Sequence, residues 1–149
     1  MAKAQVFTTR IEIRKALQEL LRDKLNINGK VYANRVIPMQ AGDLPVVLIY
    51  PESEESTILR KDPYRTLRRD LRITIQIIAT DSEVESLSDC LDNFASEIEK
   101  AIEGSNRLGN IVHDINIDNL EAAYRGEGQK PEGSLSLNYN VTYVTKPTE

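Results

Sequence analysis

A chain of 149 residues that is 40% hydrophobic and 28% charged has the composition of one ordinary folded domain rather than a disordered segment. Its net charge of −4 argues against a dedicated DNA-binding domain, and its single cysteine, Cys90, excludes an intrachain disulfide framework. No stretch has the apolar core of a signal peptide or the run of about 18–20 apolar residues that spans a bilayer. A soluble protein of the cytoplasm, without membrane contact, is expected.

The segment "TTRIEIRKALQELLRDKLNING" predicts the first helix. Thr9 and Glu12 stand at capping-box spacing, and Ile13, Ala16, Leu17, Leu20 and Leu21 recur every three or four residues as one apolar stripe. Asn28-Gly29 suits a left-handed stop. The polar face is locally basic, carrying Arg10, Arg14, Lys15, Arg22 and Lys24. "VYANRVIPM" and "LPVVLIYP" then read as two short strands, the second covered on both faces because Val46 to Tyr50 is continuously apolar. From Glu52 to Asp70 the chain is polar and is expected to form a long loop, unusual in a compact domain unless it is functional.

Leu71, Ile73, Ile75 and Ile77 alternate with polar residues and give the strongest strand signal in the chain. A second helix follows, capped at Asp81 or Ser82, with Val84, Leu87, Leu91, Phe94, Ile98 and Ala101 as its apolar seam. It is strongly acidic, holding eight carboxylates between Asp81 and Glu103 against one Lys100. "IVHDINIDNLEAAYRG" and "SLSLNYNVTYVT" complete the pattern as two strands joined by a hairpin tip at residues 126–133, where Gly126, Gly128, Pro131 and Gly133 cluster. Leu135, Leu137, Tyr139, Val141 and Tyr143 fall on one face of the last strand. The expected fold is a single α+β domain over residues 1–149, with an antiparallel or mixed sheet of about five strands and two helices packed on one face.

Residues that carry chemistry are sparse. His113 is the only histidine, and its neighbour Asp114 points to the opposite face of a strand, so the two make no dyad. Cys90 lies near an apolar seam, where a thiol behaves as a small hydrophobe. One His and one Cys do not make a zinc set, and the "GEGQKPEG" segment lacks the spacing of a phosphate loop. Glu85 and Asp89, at i and i+4, read as a solvated acidic face rather than a cation site. The expectation is a protein without catalytic residues, metal or cofactor.

Charge segregation is the feature left over. Arg60, Lys61, Arg65, Arg68, Arg69 and Arg72 crowd the entry to the central strand, and the helix after that strand is acidic. Self-association accounts for these two blocks and the basic first helix together, since a basic patch on one copy can meet an acidic helix on the next. The candidate interface is therefore those six basic residues with Glu85, Asp89 and Asp92. A nucleic-acid-binding module built on the Arg60–Arg72 cluster is the alternative, and it leaves the acidic helix without a role.

The basic-faced first helix, "LPVVLIYPESEES", "RRDLRITIQIIAT" leading into "DSEVESLSDCLDNFASEIEKAI", and the closing "GSLSLNYNVTYVT" together resemble tail terminator proteins of tailed bacteriophages, the minor tail protein U-like group. Another head–tail connector or tail-completion protein is the alternative that the same resemblance leaves open. The resemblance implies a structural virion protein, assembled in the bacterial cytoplasm, that forms a homo-oligomeric and commonly six-fold ring. Its implied partners are other copies of itself, the tail tube protein and the head-side connector, with DNA met only in passage through the tail.

Overall fold

The computed structural model describes residues 9–25, 30–33, 44–81, 84–125 and 131–146. Helix α1 (Arg10–Lys24) begins at the anticipated capping box. The Glu12 amide donates to the Thr9 hydroxyl at 3.2 Å, and the Thr9 amide donates to the Glu12 carboxylate at 2.8 Å. Two of the helix's orphan amide donors are thereby satisfied. Ile13, Leu17 and Leu21 are fully buried, whereas Ala16 and Leu20 only flank the core. The expected stop at Asn28-Gly29 and the cap at Ser82 lie outside the described residues, as does the side chain of Val84.

Among the described residues five strands follow α1: β1 (Val31–Tyr32), β2 (Val46–Arg60), β3 (Thr66–Thr80), β4 (Asp114–Arg125) and β5 (Glu132–Thr145). They lie in the order β1-β2-β3-β5-β4, with β1 parallel to β2 and every other pair antiparallel. Between β3 and β4 run α2 (Val84–Glu103) and one short turn, α3 (Asn106–Asn110), whose residues all have positive φ. Buried Leu108 anchors that turn, and the Ser105 hydroxyl accepts the Leu108 amide at 3.0 Å. The expected α+β fold is the one observed.

Strand alternation decides where the core forms. Leu71, Ile73, Ile75 and Ile77 of β3 share one face with Leu135, Leu137, Tyr139, Val141 and Tyr143 of β5, and with Val47 and Ile49 of β2. Ile13, Leu17 and Leu21 of α1 and Leu87, Leu91, Ala95 and Ile98 of α2 close over that face in the same cluster. Both helices thus pack on one side of the sheet, which puts the apolar surface of two layers into a single core. The reverse face buries Val46 and Leu48 of β2, as the continuous apolar run predicted, and beyond them a line of polar side chains crosses four strands. Thr74 Oγ1 lies 3.5 Å from Glu52 Oε2 and 2.7 Å from Asn138 Oδ1, and Asn138 donates its amide to Asn119 at 2.7 Å. This explains how Thr74 can be 3% exposed on a polar face.

The structure corrects two expectations of shape. The polar loop from Glu52 to Asp70 does not exist as a loop. Glu52–Arg60 continues β2 and Thr66–Asp70 begins β3, so only residues 61–65 form the turn of a long hairpin. At this end of the sheet neither strand face is covered by a helix. The strands therefore need no apolar alternation, and the usual sequence signal is missing. The second correction is smaller: Glu132 and Gly133, placed in the 126–133 hairpin tip, already belong to β5, while residues 126–130 lie outside the described residues.

Candidate subunit interface

The two faces of β3 divide the basic cluster. Arg68 and Arg72 point to the polar face and Arg69 to the opposite one, because successive side chains alternate. Arg68 lies 3.3 Å from Asp70, and Arg72 lies 3.4 Å from Asp118 in the bulge of β4. Burial alone would raise the Asp70 carboxyl. The hydrogen bond from Thr142, the charge of Arg68 and further bonds from Asn140 and Arg68 outweigh it and hold Asp70 below its ordinary value.

On the other face Glu54 is a hub. Its carboxylate takes Arg10 of α1 at 2.8 Å, Arg69 at 3.1 Å and the Tyr143 hydroxyl at 2.6 Å, and its side chain is 11% exposed. Arg69 also donates to the Thr145 hydroxyl at 2.9 Å. Burial and then the bond to Glu54 push the Tyr143 phenol up to about 12. Charge-assisted bonds in a partly desolvated setting are the stronger kind, so this hub ties α1, β2, β3 and β5 together at the base of the hairpin. Arg69 is held in this hub, whereas the ion pairs of Arg68 and Arg72 leave about half of each side chain exposed. Of the six basic residues proposed for an interface, Arg68, Arg69 and Arg72 thus make ion pairs within the chain, while Arg68 and Arg72 stay exposed.

Arg60, Lys61 and Arg65 differ. They are exposed at the hairpin turn, and among the described residues no ion pair reaches them. Ile58, Leu59 and Tyr64 stand beside them, 46%, 54% and 47% exposed. A register shift between Ile58 and Arg60 makes Leu59 a bulge residue, and bulges re-aim side chains. Composition-based reading missed these apolar residues. The doublet Ile58-Leu59, breaking an otherwise polar run, was the available signal.

Helix α2 presents the opposite charge. Glu85, Asp89, Asp92, Ser96, Glu99 and Glu103 follow one another at four- and three-residue steps and so form one stripe. Glu85, Asp89 and Asp92 are exposed as expected, and among the described residues no ion pair neutralises the stripe. Carboxylates at i and i+4, such as Glu99 and Glu103, each cost a helix about 0.2–0.5 kcal/mol by repulsion. Asp92, Ala95, Ser96, Glu99, Lys100 and Glu103 line a groove whose other wall is Leu120 of β4. Beneath it, burial and then the charges of Glu99 and Glu103 raise the Tyr139 phenol above its ordinary value.

The residues considered for chemistry are placed plainly. His113 is exposed just before β4, its amide donating to the Thr142 carbonyl at 2.8 Å. Cys90 is half-buried against the core, and burial and then the charge of Asp81 raise its thiol. Among the described residues no group of three His, Cys, Asp or Glu side chains could hold a metal ion, and no helix is long and apolar enough to cross a membrane.

The chain is thus a mixed sheet with both long helices on one face, a basic hairpin end and an acidic stripe on α2. The sequence profile of phage minor tail protein U matches residues 8–143, and the chain belongs to that family. It is a structural component of a phage-type tail. Its fold is similar to the PVC sheath/tube terminator of an extracellular contractile injection system in the extended state, at TM-score 0.53 and 14% identity. That alignment covers 97% of this chain and 58% of the terminator, so the chain spans less than two thirds of that protein's length. A component of the virion of a native gene transfer agent particle aligns over 87% of this chain and 94% of its own, at 10% identity and TM-score 0.40. No curated protein matches the sequence.

Proposed function

We propose that this protein is a tail terminator: copies of the chain assemble head to tail into a ring, of six subunits, on the head-proximal end of the tail tube. The ring stops tube polymerisation and offers its other surface to the head-side connector. The observation that carries this reading is membership of the minor tail protein U family over residues 8–143, supported by a fold shared with a sheath/tube terminator. Surface charge supports it too, because cations concentrated at one end of the molecule and anions along a helix at its other edge suit a heterologous contact that closes by rotation.

The test is to polymerise the cognate tube protein with and without this chain. Tubes formed in its presence are expected to be shorter and to carry a ring at one end in negative-stain images. Tubes of unchanged length with bare ends would overturn the reading.

A further inference from the structure

Among the described residues, two groups of large apolar side chains are exposed. The first is the end of the β2–β3 hairpin, with Ile58, Leu59 and Tyr64 set among Arg60, Lys61 and Arg65. The second is the flank of β4, where Ile117 and Leu120 are 37% and 43% exposed and Leu120 borders the acidic stripe of α2, while half-exposed Tyr124 is engaged by Ser88 of that helix. The face that β4 turns toward α2 ends at the edge of the sheet, so nothing among the described residues continues the layer beyond it.

We propose that the hairpin end of one copy seats in the α2–β4 groove of the next copy. This rests on the ring reading and adds the two surfaces that make the contact. Charge complementarity selects a second copy as the occupant. The hairpin end brings three cations against the single carboxylate of Asp62, and the groove offers Asp92, Glu99 and Glu103 against the single Lys100. An apolar centre ringed by opposed charges is the anatomy of a specific interface. Burying Ile58, Leu59 and Leu120 at its centre would desolvate the ion pairs around them.

Geometry requires the contact to be intermolecular. Leu120 is level with Leu137, and Leu137 with Ile75. Ile75 is nine residues along β3 from the hairpin turn at Thr66, which is about 30 Å of strand. The groove also lies at the far edge of the sheet from β2. A hairpin held by its own ladder and by the Glu54 hub cannot fold back over that distance. Strand addition along β4 is the less suitable mode, because the bulge around Asp118 interrupts its ladder, a device that discourages edge pairing.

The experiment uses the full chain with Cys90→Ala, which removes the only native thiol. Leu59→Cys and Leu120→Cys are made separately in that background, mixed and oxidised. A disulfide joining the two different variants is expected to dominate over either homodimer. A mixture in which Ile11→Cys, an exposed position on α1, replaces Leu120→Cys is expected to give little product. Independently, Leu120→Asp should weaken self-association about tenfold or more. Asp92→Lys with Glu99→Lys should do the same, and Arg60→Glu with Arg65→Glu should restore it when the two charge-reversed proteins are mixed. Far-UV circular dichroism and melting confirm that each variant folds. Oligomers that keep their mass in Leu120→Asp, or a disulfide yield equal to that of the Ile11→Cys mixture, would overturn the groove contact while leaving the ring intact. A wild-type chain that never exceeds 16.8 kDa would overturn the ring as well.

Discussion

Glu54 shows how one side chain can set the role of several others. With Arg10, Arg69 and Tyr143 all directed at its carboxylate, Glu54→Gln leaves Arg69 facing a neutral group in a partly desolvated site. A loss of about 1–3 kcal/mol is expected, read as a lowered denaturant midpoint with unchanged slope. Tyr143→Phe should cost less, since it removes one bond and leaves both ion pairs. Asp70 supplies a pH signature. Its carboxyl is held below the ordinary 3.8, so its contribution to stability is present above that value and fades as pH falls through the folded value. The gap in melting temperature between the wild type and Asp70→Asn is therefore expected to be open at neutral pH and to close as the solution is taken below about pH 4.

Among the elements, β5 and β4 show what sequence pattern can and cannot reveal. The alternation from Leu135 to Tyr143 is an apolar face, and every one of those side chains is buried; a helix-covered strand declares itself because burial selects every second residue. Gly133 was legible only as a turn former. In the structure it lies opposite Tyr124, and a Cβ there would meet the Tyr124 ring at 2.8 and 2.9 Å and Leu91 Cδ1 at 3.0 Å. The glycine makes room for an aromatic ring laid across it, whose hydroxyl lies 3.2 Å from that of Ser88 on α2. Gly133→Ala should push that ring aside and cost about 1–3 kcal/mol by overpacking, seen in thermal melts. The hairpin arms were illegible for the converse reason. Glu52–Arg60 meets solvent on both faces away from the Glu54 hub, so cross-strand pairing with β3, which a single chain's local pattern does not display, is what makes it a strand.

For the whole molecule, the fold class and the separation of basic and acidic blocks were readable from residue order, because periodicity and charge are local properties. Which cations are available was not. Ion pairs such as Arg69 with Glu54 join residues on different strands, and only the register of β2 against β3 brings them together. Of the six basic residues only Arg60, Lys61 and Arg65 make no ion pair among the described residues, and exposed Ile58, Leu59 and Tyr64 stand beside them. Contacts between exposed opposite charges are screened by salt, so self-association through the hairpin is expected to weaken as ionic strength rises, with the residual affinity set by Ile58, Leu59 and Leu120.

The mass of the purified chain in solution bears on the ring most directly. Light scattering across a concentration series at low salt is expected to rise from 16.8 kDa to a plateau at one integral multiple, with closed rings in images of the plateau sample. A mass that stays at the monomer value, or that climbs without limit as open filaments form, would contradict a closed head-to-tail ring.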